Sequence, residues 1–304
     1  MATPYQVSIK TSVKARGIGV HTGRTITMTL HPAPANTGIV FLRYVDGQRH
    51  EIPALVQYVG STQWSTCLIN EAGVRALTVE HLMAALFGMG VDNLYVELTD
   101  DEVPIMDGSA ISFVFLLESA GFLVSTEHLK KYYRVNQPVR YQDGDRYAQI
   151  MPDKSFSLSL DIVFQQSLYE KENQSASFDF SASTFMQHIA RARTFGDYRD
   201  LEKMEALNLA KGSSLDNTTV FKDKEVLNYE GLRFPNECVR HKILDAIGDL
   251  SLLGYPMLGA FSGHQSGHEI NNQLLKKFLA DPQSWTLVEA SKDQSFPIDF
   301  PEVG

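Results

Sequence analysis

Glu237-Cys-Val-Arg-His-Lys-Ile-Leu-Asp-Ala-Ile-Gly-Asp-Leu-Ser-Leu-Leu253 is the stretch on which the reading of this chain turns. Its apolar residues Val239, Ile243, Leu244, Ile247 and Leu250 recur at helical intervals, so a helix is predicted over 237–253. On that helix His241 and Asp245 stand four apart, and their side chains share one face and can reach a common point. Asp245 is set among Ile243, Leu244, Ala246, Ile247 and Leu250, where an unpaired charge would be costly, so it needs a partner. Asp249 lies another four residues along the same face and is suited to orienting an imidazole.

A similar arrangement stands earlier in the chain. Thr78-Val-Glu-His81 opens a second stretch of helical spacing over 78–87, followed by a Gly-containing turn at 88–93 and a strand at 94–98. After the 237–253 helix comes another Gly turn and a strand at 257–262. In each half a His is read as opening the helix, which suggests two like units meeting at a cleft, a common place for a ligand site. Strands are expected at 6–10, 25–30 and 39–44 in the first half, with a helix at 109–120. The second half is expected to hold strands at 132–139, 147–151 and 157–164, and helices at 185–192, 200–208 and 269–279. The domain boundary is placed at the polar run 125–131, giving an α+β fold with domains at 1–126 and 127–304.

Bulk properties narrow the function. A chain of 304 residues, 43% hydrophobic and 21% charged, has ordinary globular composition and enough length for two cores. Its net charge of -9 removes the electrostatic footprint of a general nucleic-acid binder. The first residues carry no apolar run like a signal peptide, and no stretch approaches the ~20 apolar residues of a membrane span, so a cytoplasmic protein without stable membrane insertion is expected. Cys67 and Cys238 are too few for a disulfide framework or a cysteine zinc site. Any metal must rest on His and carboxylate.

Zinc accepts both donor types, and a catalytic site uses three protein ligands with one position open. His241 and Asp245 supply two, and His81 is the choice for the third. Glu80, directly beside it, could then act as a general base without ligating the metal. The order is Glu-His, so this is not the HExxH arrangement. The Gly-rich segment Ser262-Gly-His-Gln-Ser-Gly-His268 offers His268 as a proton donor, although the spacing of His264 and His268 leaves open that these two hold the metal instead. Taken singly, each of these residues is more often structural. Gly17-Ile-Gly-Val-His-Thr-Gly23 lacks the GxGxxG spacing and precedes a strand, so a dinucleotide loop is rejected. Arg191-Ala-Arg-Thr-Phe-Gly196 offers charge, a hydroxyl and the Phe195 ring, but two such Arg are more often solvated or paired.

Taken together, Gly19-Val-His-Thr-Gly23, Thr78-Val-Glu-His-Leu82, Ala192-Arg-Thr-Phe-Gly196, Val239-Arg-His-Lys-Ile-Leu-Asp-Ala-Ile-Gly-Asp249 and Ser266-Gly-His268 closely resemble the UDP-3-O-acyl-N-acetylglucosamine deacetylases of lipid A biosynthesis in Gram-negative bacteria. The resemblance runs from about residue 4 to residue 280. It implies a β-α-α-β sandwich of two similar domains, helices packed between two sheets, with an insert near 41–63 and another near 190–220. The second would form an acyl-chain passage, lined by residues such as Leu201, Met204, Leu207 and Leu215. It implies zinc hydrolysis of an N-acetyl group, with His81, His241 and Asp245 as metal ligands, Glu80 as base, and His268 as acid supported by Asp249. Thr194 would bond the developing oxyanion, Lys242 and Phe195 would meet substrate, and His21, Arg146 and Phe164 would serve the nucleotide. Gln265 stands where many relatives carry Lys, which removes a positive charge near the diphosphate. A monomer is expected. The alternatives are a zinc amidase for another acylated amino sugar, or a non-catalytic UDP-sugar binder with a structural metal.

Overall fold

The structure is a computed structural model and describes residues 2–163, 173–223 and 225–302. Strands Tyr5–Ile9 (β1), Val13–Ile18 (β2), Thr25–Pro32 (β3), Ile39–Val45 (β4), Gln48–Pro53 (β5), Leu68–Ile69 (β6) and Arg75–Ala76 (β7) precede helix Glu80–Gly88 (α1). Strand Leu94–Leu98 (β8), helix Ile111–Ala120 (α2) and strand Phe122–Leu129 (β9) complete the first half. The second half begins with strands Lys131–Val135 (β10), Val139–Asp143 (β11), Arg146–Met151 (β12), Phe156–Val163 (β13) and Asn173–Asp179 (β14). After the helical turn Ala182–Thr184 (α3) come strand Phe195–Asp197 (β15), helix Tyr198–Ala206 (α4), and strands Thr219–Lys222 (β16) and Glu225–Val226 (β17). Helix Glu237–Ser251 (α5), strand Met257–His264 (β18), helix His268–Ala280 (α6) and strand Trp285–Glu289 (β19) follow. The fold is a mixed α+β fold.

The wiring is repeated. In the first half the sheet order is β2-β3-β8-β4-β5, with β4 and β8 parallel and every other pair antiparallel. In the second half β11-β12-β18-β13-β14 has the same order, with β13 and β18 as its parallel pair. The last helix before each central strand is α1 in one half and α5 in the other, so the like positions of His81 and His241 follow from one topology used twice. β10 and β19 extend the second sheet, β10 running parallel to β18 through Tyr133 and Met257.

All nine residues of α1 are buried, as expected of a helix enclosed on every side. It packs directly against α5, which buries Val239, Ile243, Leu244, Ala246, Ile247 and Leu250. What lets them meet closely is Gly248. A Cβ there would lie 2.1 Å from the Glu80 carbonyl oxygen, so any side chain would push the start of α1 away. Gly88, at the other end of α1, leaves room for the Phe185 ring in the same way. Among the described residues no helix is long and apolar enough to cross a membrane.

Several expectations need correction. The polar run 125–131, where the domain boundary is expected, lies mostly within a strand that was not foreseen, β9, which pairs with β1 from Tyr5 opposite Leu129 to Ile9 opposite Phe122. Its polarity reflects a ribbon whose residues Thr126, Glu127 and His128 face solvent. The single strand expected at 132–139 is two, because Pro138 lacks a donor and Asn136 turns its N–H to the Ser284 carbonyl. Residues 185–192 form no regular α-helix. After α3 the chain makes a wide turn, closed by the Ala190 N–H on the Phe185 carbonyl at 2.8 Å, which carries Phe185 into the core against α1. The insert placed at 41–63 is displaced, since β4 and β5 belong to the repeated sheet; the segment outside the repeat is 54–79, with the β6–β7 hairpin. His241 does not open its helix but sits in the second turn of α5.

Gly248→Ala is expected to destabilise the protein by about 1–3 kcal/mol, the range for overpacking a filled contact. A urea midpoint equal to that of wild type would show that α1 and α5 can separate freely.

Candidate metal centre and active site

The start of α1 is held by a buried carboxylate. Thr78, two residues before Glu80, has φ of 57°, which for a β-branched residue costs roughly 1–2 kcal/mol. Its Oγ1 donates to Glu102 Oε1 at 3.1 Å. The same fully buried Glu102 accepts from the main-chain N–H groups of His21 and Thr22, each at 2.9 Å, and from the Thr22 hydroxyl at 2.7 Å. Four donors thus fix this carboxylate, and it fixes both the strained entry to α1 and the loop that carries His21.

From that start His81 reaches α5. His81, His241 and Asp245 are all buried and each offers one donor atom, all within 4.8 Å of one another. Nε2 of His241 lies 3.3 Å and Nε2 of His81 3.5 Å from Oδ1 of Asp245, while the two rings stand at 86°. Nδ1 of His241 meets the Ala192 carbonyl at 3.0 Å, which places its proton there and leaves the Nε2 lone pair facing the carboxylate. Burial lowers the His241 pKa to about 4, so the ring stays neutral. Burial works against the charge on Asp245, yet the neighbouring cations Lys242 and His268 pull the other way, and its carboxyl is held well below the usual range. Its Oδ2 accepts from Lys242 Nζ at 2.8 Å, whereas Oδ1 is buried with no protein donor. A buried carboxylate oxygen without a donor, facing two imidazole nitrogens, suits a cation of the zinc type.

Beside this group lies a second one. Oε2 of Glu80 accepts the Thr66 N–H at 3.0 Å, and Oε1 lies 3.9 Å from Nε2 of His268. His268, the first residue of α6, faces Asp249 through Nδ1 at 3.0 Å. Asp249 also accepts from the Thr66 hydroxyl at 2.7 Å and Asn271 Nδ2 at 2.9 Å. Burial pushes the Glu80 carboxyl up, against the pull of His268 and His81. For His268 burial lowers the pKa, but the Asp249 and Glu80 carboxylates reverse this and raise it to about 9. An imidazolium between two carboxylates therefore stands next to the three clustered ligand atoms.

Of the other expected residues, Phe195 comes to the same place, with Thr194 as its chain neighbour. Thr194 follows Ala192 by two residues, its N–H bonded to Gly108 at 2.8 Å, and the Phe195 ring lies edge-on to His241 at 6.2 Å between centroids. His21 is buried with Nδ1 unpartnered, and burial lowers its pKa against the opposing charge of Glu102. Arg146 is exposed and paired with Asp143 in the β11–β12 hairpin. Arg193 is not a site residue: it is buried in an ion pair with Glu237 at 2.9 Å, the bland reading of that motif. His264 stacks on Tyr147 and bonds Asp161, so among the described residues the His264 and His268 metal pair does not form. Gln265 turns its side chain to His264, and the Arg140 guanidinium lies 3.7 Å over the Tyr147 ring nearby. Leu207 and Leu215 are exposed and Met204 half-buried. Phe164 and the side chain of Leu201 lie outside the described residues.

Sequence reading missed Thr66, Asn271, the Ala192 carbonyl and Glu102. Asn271 stands three residues after His268 on α6, a spacing that could have flagged it. Thr66 had no local signal, because both its partners lie in other elements.

A family model described as LpxC, UDP-3-O-acyl N-acetylglycosamine deacetylase, matches residues 6–280. The chain is 46% identical to the UDP-3-O-acyl-N-acetylglucosamine deacetylase of Coxiella burnetii (strain CbuK_Q154), over 98% of each chain. It is also 46% identical to that of Vibrio parahaemolyticus, over 98% of this chain and 97% of the relative. For the Marinobacter nauticus protein of the same name, identity is 45% over 97% of this chain and 96% of the relative. With matches of this length around the clustered His81, His241 and Asp245, the chain belongs to the UDP-3-O-acyl-N-acetylglucosamine deacetylase family.

Proposed function

We propose that this chain hydrolyses the N-acetyl group of a UDP-linked 3-O-acylated glucosamine in a zinc-dependent step of lipid A biosynthesis, releasing acetate and the free amine. The observation that carries the reading is the convergence of His81, His241 and Asp245 beside the Glu80, His268 and Asp249 group. Two imidazoles and one carboxylate make three protein ligands, the number of an open catalytic site rather than a closed structural one. Bound there, zinc supplies a Lewis acid for the acetamide carbonyl and acidifies water.

The chain's own residues do the rest. Glu80, one oxygen fixed by the Thr66 N–H, takes a proton from the attacking water, whose oxygen bonds the carbonyl carbon. The hydroxyl of Thr194 donates to the oxygen that gains negative charge. As the C–N bond breaks, His268 gives its proton to the leaving nitrogen, and Asp249 keeps that imidazole oriented and charged beforehand. Lys242 and Phe195 meet the sugar side of the substrate, and His21, Arg146 and Phe164 serve the nucleotide end.

The finer architecture belongs to the same proposal: two domains, 1–126 and 127–304, in a β-α-α-β sandwich, joined within the β9 ribbon. The mutual packing of α1 and α5, one from each repeat, supports it. The acyl chain leaves along the 190–220 segment. We further propose that the enzyme works as a monomer in the cytoplasm, where its substrate is made.

Metal analysis is expected to find one zinc per chain, and Asp245→Ala to lose both zinc and turnover; full activity in chelator-treated, metal-free protein would overturn the proposal. Glu80→Ala is expected to keep its zinc while kcat falls by about 10²–10⁴, the usual worth of a positioned base. The acid must be protonated to act, so kcat/KM is expected to fall as pH rises through about 9. Asp249→Asn removes a charge that raises the His268 pKa, and its basic limb should move to lower pH; a limb that stays in place would exclude His268 as its source.

A further inference from the structure

One aromatic side chain near the site has no place in this scheme. Trp64 stands in the loop 61–66, between β5 and α1, and its side chain is 50% exposed. Its φ of 68° is left-handed, an outlier for so bulky a residue. Such conformations persist where the surroundings over-determine them, and they gather at ligand clamps.

The loop is held firmly. Its base is closed by the Gly60 N–H on the Cys67 carbonyl and the Cys67 N–H on the Ser61 carbonyl, both at 2.9 Å. On one flank the Thr62 hydroxyl bonds Glu269, the neighbour of His268. On the other, Thr66 bonds both Glu80 and Asp249. The Trp64 main chain also lies close enough to the His21 ring to favour its charged form, while His81 and His268 oppose it. The loop's side-chain bonds to other elements therefore all go to site residues or a direct neighbour of one. Yet the indole has no aromatic or cationic partner among the described residues. A half-exposed aromatic side chain thus stands on a loop that is anchored at the site.

We infer that Trp64 is a specificity-determining residue that stacks on the apolar C–H face of the substrate's glucosamine ring. The inference rests on the deacetylase reading above. A pyranose ring offers that face close to its C2 amide, whereas the nucleotide and the acyl chain extend away from it. An indole at a wet rim is suited to such a partner, with a large rigid apolar face and a polar edge.

The test uses Trp64→Ala and Trp64→Phe with two substrates, the 3-O-acylated UDP-sugar and the same UDP-sugar without its acyl chain. Trp64→Ala is expected to raise KM by about tenfold for both, with kcat changed less than about twofold and zinc content unchanged, the signature of lost uniform binding. Trp64→Phe should recover most of the loss. The protein has two Trp, so in Trp285→Phe the remaining indole reports directly. Its emission should shift when the non-acylated UDP-sugar binds to a Glu80→Gln background. A KM effect confined to the acylated substrate, or no KM effect in a folded, zinc-loaded variant, would overturn the inference. Failure of wild type itself to deacetylate would instead strike the underlying reading, so the two failures are distinguishable.

Discussion

The contact between the start of α1 and the middle of α5 is the constraint on which the rest depends. It is a backbone contact, permitted by the missing side chain at Gly248, and it brings Glu80 and His81 onto the face of α5 that carries His241, Asp245 and Asp249. Helix pairs normally stand 8–10 Å apart, held off by their side chains. Here, at one point, no side chain stands between Gly248 and the Glu80 carbonyl, and that point is where the chemistry is assembled. Both helices reach it from equivalent places in a topology that occurs twice, so the site is a property of how the halves meet.

Around this contact the charges are arranged in two groups with different needs. The metal group presents neutral imidazole and an unsatisfied carboxylate oxygen, a combination that burial makes costly until a cation arrives. The neighbouring group is internally balanced: Asp249 has three donors, and His268 is held charged between two carboxylates. Thr66 touches both carboxylates of that second group, its N–H on Glu80 and its hydroxyl on Asp249, and so sets their separation. One short loop from the first half therefore tunes an acid and a base contributed by different elements.

A further buried carboxylate, Glu102, pairs with no cation among the described residues and is held there by neutral donors. It ties the strained Thr78 to the loop carrying His21, and that loop packs against the 211–212 segment of the other half, where a Cβ on Gly212 would lie 2.2 Å from the Gly19 carbonyl oxygen. Removing such a carboxylate would leave several donors unpaired at once, which makes it a structural hinge-pin for one wall of the site.

The helical spacing of His241, Asp245 and Asp249, the adjacency of Glu80 and His81, and the need for His and carboxylate ligands were legible in the sequence, because each follows from chain neighbours or from the helical period. The central strands and the main helices were legible for the same reason. What only the tertiary structure decided were the relations between distant elements: that His81 meets His241, that Thr66 and the Ala192 carbonyl hold other site residues in place, and that His264 turns to Asp161 and Tyr147 instead of a metal. The pairing of the polar β9 ribbon with β1 and the place of the first insert were not legible, because strand pairing depends on a partner elsewhere in the chain, and local composition carries no record of it. Spacing along a helix is a short-range quantity, fixed by covalent geometry; which helix it faces is set by packing, here by the absence of one Cβ.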